Sequence, residues 1–131
     1  MSSQYVERVL RLRNDPKVHY NCAQAVVMAF TPECGLTEEQ AMKLCAHFGG
    51  GMKMAATCGA ITGSLMVIGL MGGGDPEYKA FMAAMRGSHD SKTNCADLLK
   101  RSAELGVERK AHCDGMITEA VETVARLMGL A

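Results

Sequence analysis

Apolar residues recur every three or four positions along nearly the whole chain, the spacing of helices that bury one face. From Ser3 to Arg13, Val6, Val9 and Leu10 keep this register, and Glu7 stands four residues before Arg11, a pairing that supports a helix. Asp15-Pro16 ends it, since the residue preceding a proline is driven out of the helical region. A second helix is expected from about Asn21, with Cys22, Ala25, Val26, Ala29 and Phe30 on one face and Pro32 and Gly35 closing it. Thr37-Glu-Glu-Gln40 is a capping box opening a third, which buries Ala41, Leu44, Cys45 and Phe48 until Gly49-Gly50-Gly51 stops it.

Thr57 is expected to cap a fourth helix reaching about Met71, with Ile61, Leu65 and Ile68 at helical spacing. Its lack of a polar face implies burial on all sides. Asp75-Pro76-Glu77 starts a fifth helix carrying Tyr78, Phe81, Met82 and Met85, and Gly87 to Ser91 reads as a loop. Asn94 caps a sixth bearing Leu98 and Leu99, and a last one runs from about Ala111 to Met128 with Met116, Ile117, Ala120, Val121 and Val124 inward. No segment alternates like a strand. The expected fold is all-α, a single domain over residues 1–131: a compact bundle of about six or seven helices around the central apolar one.

The uncharged stretch from Met54 to Gly74 is long enough to span a bilayer if helical. Six of its 21 positions are glycine and no Trp or Tyr belt flanks it, so it reads as a buried helix and no membrane insertion is expected. Fourteen Lys and Arg balance fourteen Asp and Glu, leaving no bulk field that would favour nucleic acid. The first residues mix both charges and lack the apolar run of a secretion signal, so a cytoplasmic location is expected. Sulfur is the anomaly: six Cys and eleven Met in a chain without Trp. In a reducing compartment such cysteines point to redox chemistry, metal binding or packing before a static disulfide framework.

Cys22 follows Asn21, Cys58 follows Thr57, Cys95 follows Asn94, and Cys113 falls in the expected opening turn of the last helix. The unpaired amides and macrodipole of a helix start stabilise a thiolate, the reactive and metal-binding form. Each of these cysteines also begins the apolar stripe of its helix, so all four should point inward, where they could converge. The bland alternative is that small cysteines fill tight spots. That is the preferred reading for Cys34, in a turn, and Cys45, mid-helix. Gly59 and Gly63 form a GxxxG spacing that reads as close helix packing. Gly49 to Gly51, with Met52-Lys53-Met54, reads as a turn in preference to an anion cradle, since no phosphate-loop pattern fits.

These residues resemble the family of redox-active proteins labelled by the C_GCAxxG_C_C pattern, over nearly the whole chain. Cys22 corresponds to the first cysteine, Gly49 to Gly51 to the glycine run, Cys58-Gly59-Ala60-Ile61-Thr62-Gly63 to the central motif, and Cys95 and Cys113 to the last two. The label writes GCA where this chain has Cys-Gly-Ala, so CGAxxG is taken as the pattern. The resemblance implies a small, mostly helical protein of bacterial or archaeal type with an assumed redox role, often encoded near transporters, and brings no established substrate. A related segment occurs in a split-Soret haem protein, but CxxCH is lacking here and covalent haem is not carried over.

Three functions compete. In thiol redox catalysis or electron transfer, Cys58 is the expected nucleophile and Cys22, Cys95 or Cys113 resolves, with an unknown redox partner and no CxxC to support a thioredoxin analogy. Alternatively, Cys22, Cys58, Cys95 and Cys113 ligate a metal or iron-sulfur cluster, although spacings of 36, 37 and 18 residues match no local metal motif. The third reading is a non-enzymatic small-ligand module serving a transporter. His19, His47 and His112 lie near cysteines and read as surface or capping residues, His19 being the best placed to add a ligand. Met52-x-Met54 reads as ordinary methionine packing in preference to copper ligation. Glu38-Glu39 and Glu119 with Glu122 read as solvated faces, and an exposed Met-rich surface would suit a homodimer.

Overall fold

The computed structural model describes residues 4–130, and the regular structure within them is helical. Along the chain run α1 (Gln4–Arg13), α2 (Cys22–Ala29), α3 (Thr31–Cys34) and α4 (Glu38–Leu44), then a π-helical turn (Gly51–Ala55), then α5 (Gly59–Leu70), α6 (Asp75–Ser88), α7 (Cys95–Glu104) and α8 (Arg109–Leu127). The all-α expectation holds. The elements outnumber the expected six or seven because the second region splits at Phe30 and the glycine run forms a turn of its own. Pro32 opens the short α3 instead of closing α2, a first-turn position where its missing N–H costs nothing. The proposed start of the first helix at Ser3 lies outside the described residues.

Local chemistry sets three of the helix starts. At α2 the Asn21 side chain accepts from the Gln24 N–H at 2.7 Å, and the Gln24 side chain accepts from the Asn21 N–H at 2.9 Å. Thr37 and Gln40 make the same reciprocal pair at α4. At α6 the Gly74 N–H donates to Glu77 at 2.8 Å. The Asn21 amide does more than cap: its Nδ2 donates to the carbonyls of Cys45 and Ala46 at 3.1 and 3.3 Å, and Gln24 Nε2 reaches Met42 O at 2.9 Å. One residue pair therefore fixes the start of α2 to the end of α4. Asn21→Ala is expected to cost about 2 kcal/mol, a lost cap plus carbonyls left unpaired. Thermal unfolding followed by circular dichroism should show this as a fall in Tm of roughly 8 °C.

The core centres on α2, α5 and α8, which pack on one another. Within α2 everything from Ala25 to Ala29 is buried, as is Phe30, making it the most enclosed helix. The expectation that α5 is buried on all sides is corrected: Leu65 and Met66 are half-buried, and Gly69 and Leu70 face solvent at its C-terminal end. Gly59 and Gly63 face α2 directly. A Cβ on Gly63 would lie 3.1 Å from Ala23 O, and one on Gly59 3.0 Å from Phe48 O and 3.1 Å from the Cys22 side chain. The GxxxG pair thus lets two backbones approach, and it brings Cys58, one residue before Gly59, close to Cys22.

Several details differ from the periodicity. Leu10 and Leu44 are exposed, Leu44 by 50%, because Tyr5, Val6 and Val9 fill the inner face of α1 and only Ala41 is buried within α4. Phe48 is half-buried, and α4 ends at Leu44, well before the glycine run expected to stop it. Cys45 is therefore a C-cap, and Cys34 closes α3 instead of sitting in a turn. Gly87 and Ser88 continue α6. Among the described residues the exposed methionines are Met52 and Met54, both in the π-turn; the others fill gaps in or around the core. No helix of the described residues is long and apolar enough to cross a membrane.

Candidate functional site

Cys22, Cys58, Cys95 and Cys113 line one open cavity of about 420 Å³. Each arrives by a different route. Cys22 is the first residue of α2, turned inward by the Asn21 cap and by Gly49, whose Cβ would collide with Asn21 at 2.4 Å were there one. Cys58 is itself the N-cap of α5, so the expectation that Thr57 caps this helix is corrected. Thr57 instead pairs with Asn94 in an isolated antiparallel bridge. That bridge is flanked by Cys58 N–H to Thr93 O at 2.9 Å and Cys95 N–H to Ala56 O at 2.6 Å. Successive side chains in extended backbone alternate sides, so Cys58 and Cys95, each one residue past the bridge, are turned to the same side. Asn94 precedes α7 as its N-cap but makes no side-chain capping bond, its backbone being committed to the bridge.

Cys113 corrects a further expectation. Helix α8 begins at Arg109 with Glu108 as N-cap, so Cys113 falls in its second turn and not its opening one. Its environment is instead made by neighbours. Its thiol and that of Cys22 act on each other across the cavity. The Cys22 thiol lowers Cys113 to about 6 from an ordinary 9.0, with the Arg13 and Arg109 guanidiniums assisting, and burial and Asp114 opposing. The same interaction holds the proton on Cys22, which is raised. Burial pushes Cys58 up to about 11, against the pull of the Ala60 and Ile61 N–H groups. Cys95 is also raised, by burial and by Cys113, with Arg109 opposing.

The basic residues here were not anticipated. Arg13, its side chain only 6% exposed, donates to Asp114 Oδ1 at 2.8 Å and to Tyr20 O at 2.7 Å, which ties the end of α1 to α8. Lys110 reaches Asp114 Oδ2 at 2.7 Å. Burial raises Asp114 in part, but its Lys110 and Arg13 hydrogen bonds win and hold it below its usual value. Arg109 was readable in principle, since it stands four residues before Cys113 on the same helix face. Arg13 was not, because its neighbour lies a hundred residues away in the chain.

His19 and His112 line the cavity; burial, then His89, lowers His112. His47 does not line it: its Nδ1 lies 2.7 Å from Lys53 Nζ on the exposed π-turn. Cys34 and Cys45 are also elsewhere, Cys45 buried with its thiol toward Met66 Sδ at 3.8 Å and pushed by burial to about 11. Glu119 is half-buried and meets His89 Nε2 at 3.0 Å, so it is not simply a solvated face. Among the described residues, no group of three or more His, Cys, Asp or Glu is placed to hold a metal ion.

Fold and cavity together define a class: an all-α protein whose four dispersed cysteines meet beside cationic side chains. The chain belongs to the family described as "Putative redox-active protein (C_GCAxxG_C_C)", whose model matches residues 20–127. That span runs from just before Cys22 to the end of α8 and contains all four cavity cysteines. No curated protein and no solved structure matches the chain.

Proposed function

We propose that the protein is a thiol oxidoreductase that acts on a disulfide, with Cys113 as nucleophile and Cys22 as resolving thiol. The observation carrying this reading is the meeting of four cysteines from four helices in one open cavity, with Arg13 and Arg109 beside Cys22 and Cys113. Cys113 takes the role first expected of Cys58, because the cations and the Cys22 donor favour its thiolate whereas Cys58 is buried away from them. The Cys113 thiolate attacks one sulfur of the substrate disulfide, forming a mixed disulfide and expelling the other sulfur as a thiolate. Cys22 then gives up its proton to that leaving group and attacks Cys113 Sγ, closing a Cys22–Cys113 disulfide and releasing the second substrate thiolate. The two cysteines lose two electrons and the substrate gains them. Cys58 and Cys95, turned to one side by the bridge, supply a second dithiol in the same cavity.

Reduced protein mixed with an aromatic disulfide whose thiol is coloured should release two thiols in a fast phase. At pH 6, Cys113→Ser is expected to slow that phase roughly tenfold, the gain in thiolate fraction less the lower nucleophilicity of an acidic thiol. Cys34→Ser and Cys45→Ser should keep it. An unchanged fast phase in Cys113→Ser would overturn the assignment.

A further inference from the structure

The charge around the cavity narrows the substrate, an inference that rests on the disulfide-reductase reading above. The net charge of the chain is zero, yet the cavity lining holds Arg13, Arg109 and Lys110 and not one Asp or Glu. Asp114, just behind, is shared by Arg13 and Lys110, so two cations meet one carboxylate and the group keeps a positive charge. The Arg109 side chain makes no ion pair or hydrogen bond among the described residues, and it stands one helical turn before Cys113 on the same face. Leu98, Leu99 and Met116 give the cavity an apolar wall, and its volume is in the range of small-molecule sites.

We propose that the cavity takes a small organic disulfide bearing carboxylates, with Arg109 holding a carboxylate while Cys113 attacks the sulfur. Arg109 is then a specificity residue: its fixed fork suits a carboxylate, and its charge draws anions toward the thiolate they must reach. The electron balance is that given above, the bound disulfide becoming two thiols as Cys22 and Cys113 become a disulfide.

The test compares dithiodipropionate, hydroxyethyl disulfide and cystamine, which carry two negative charges, none and two positive charges on matched arms. Each rate with reduced protein at pH 7.5 and low salt is divided by the rate of that disulfide with free mercaptoethanol. The dianion is expected to lead the neutral compound by about tenfold, and the lead should shrink as salt is raised. Arg109→Gln should remove most of it, whereas Lys79→Gln, which deletes an equal charge on α6 outside the cavity, should not. Equal normalised rates, or a lead for cystamine, would overturn the substrate class while leaving the oxidoreductase reading standing. Should no disulfide react, that reading fails, and binding of the unreactive thioethers decides the charge preference alone. Thiodipropionate binding more tightly than thiodiethanol, and losing that advantage in Arg109→Gln, supports the anion site, and equal or undetectable binding of the two overturns it.

Discussion

Alkylation of Cys113, followed by peptide mass spectrometry, is expected to reach half its maximal rate near pH 6, about three pH units below an ordinary thiol. Cys58 should react only well above neutrality, since burial holds it near 11. The cause is separable. Cys22→Ala removes the donor that contributes most to the Cys113 thiolate and should move the Cys113 midpoint up by at least about one unit, with Arg13 and Arg109 supplying the remainder. Cys22→Ser keeps a donor at the same place and should move it less. A Cys113 midpoint that stays near 9 in the parent protein would contradict the site electrostatics outright.

This depression also links stability to pH. Because Cys113 is lowered in the folded state, the unfolded chain binds that proton more tightly between about pH 6 and 9. Its contribution to stability is therefore present above pH 9 and is lost as pH falls through 6. Cys58 runs the other way, being raised: its contribution is full below 9 and is lost as pH rises through about 11. The two together predict that the stability carried by these thiols is greatest near pH 9, and Cys113→Ala should flatten the acid side of the curve.

The largest effect on folding is expected at Gly51. The chain from Gly50 to Ala55 turns through the left-handed region at Gly50, Gly51, Met52, Lys53 and Ala55, with φ between 57° and 65°. The three non-glycine residues each carry about 1 kcal/mol of strain, held in place by packing on either side of the turn. At Gly50 a Cβ would meet nothing within 4 Å, whereas at Gly51 it would lie 2.5 Å from both the N and the O of Ala56. Gly50→Ala should therefore cost only the left-handed penalty, about 1 kcal/mol. Gly51→Ala adds a collision with backbone that cannot yield, for a total of roughly 3 kcal/mol or more. Ala56 O also receives the Cys95 N–H, so the collision should pull on the bridge that aligns Cys95 with Cys58. Denaturant unfolding of the two variants measures this directly, and equal losses would show that the glycine run is a tolerant loop.

Helical periodicity and caps made much of this molecule legible. The Asn21 and Thr37 caps and the inner faces of α2, α5 and α8 follow from local spacing, and the expected helix-start positions singled out the four cysteines. Local signals misled where tertiary contacts took over a backbone group. Thr57 and Asn94 look like caps because of their residue types, yet their backbones pair with each other across 37 positions of sequence, which no local pattern records. Cys113 was singled out for a helix-start dipole and owes its environment instead to Cys22, Arg13 and Arg109, two of them on other helices. The choice among thiols depended on neighbours from other helices and on burial, which periodicity gives only as a face and not as a depth.

On the proposed reading, Cys22 and Cys113 are the working pair of a four-cysteine centre. The most direct test is to treat fully reduced protein with one two-electron equivalent of oxidant, count the remaining free thiols, and map the linkage by digestion under acid conditions. The expected result is a loss of two thiols and a Cys22–Cys113 disulfide, with Cys34 and Cys45 untouched. Oxidation that leaves Cys22 and Cys113 as free thiols, or that joins either of them to Cys34 or Cys45, would contradict it.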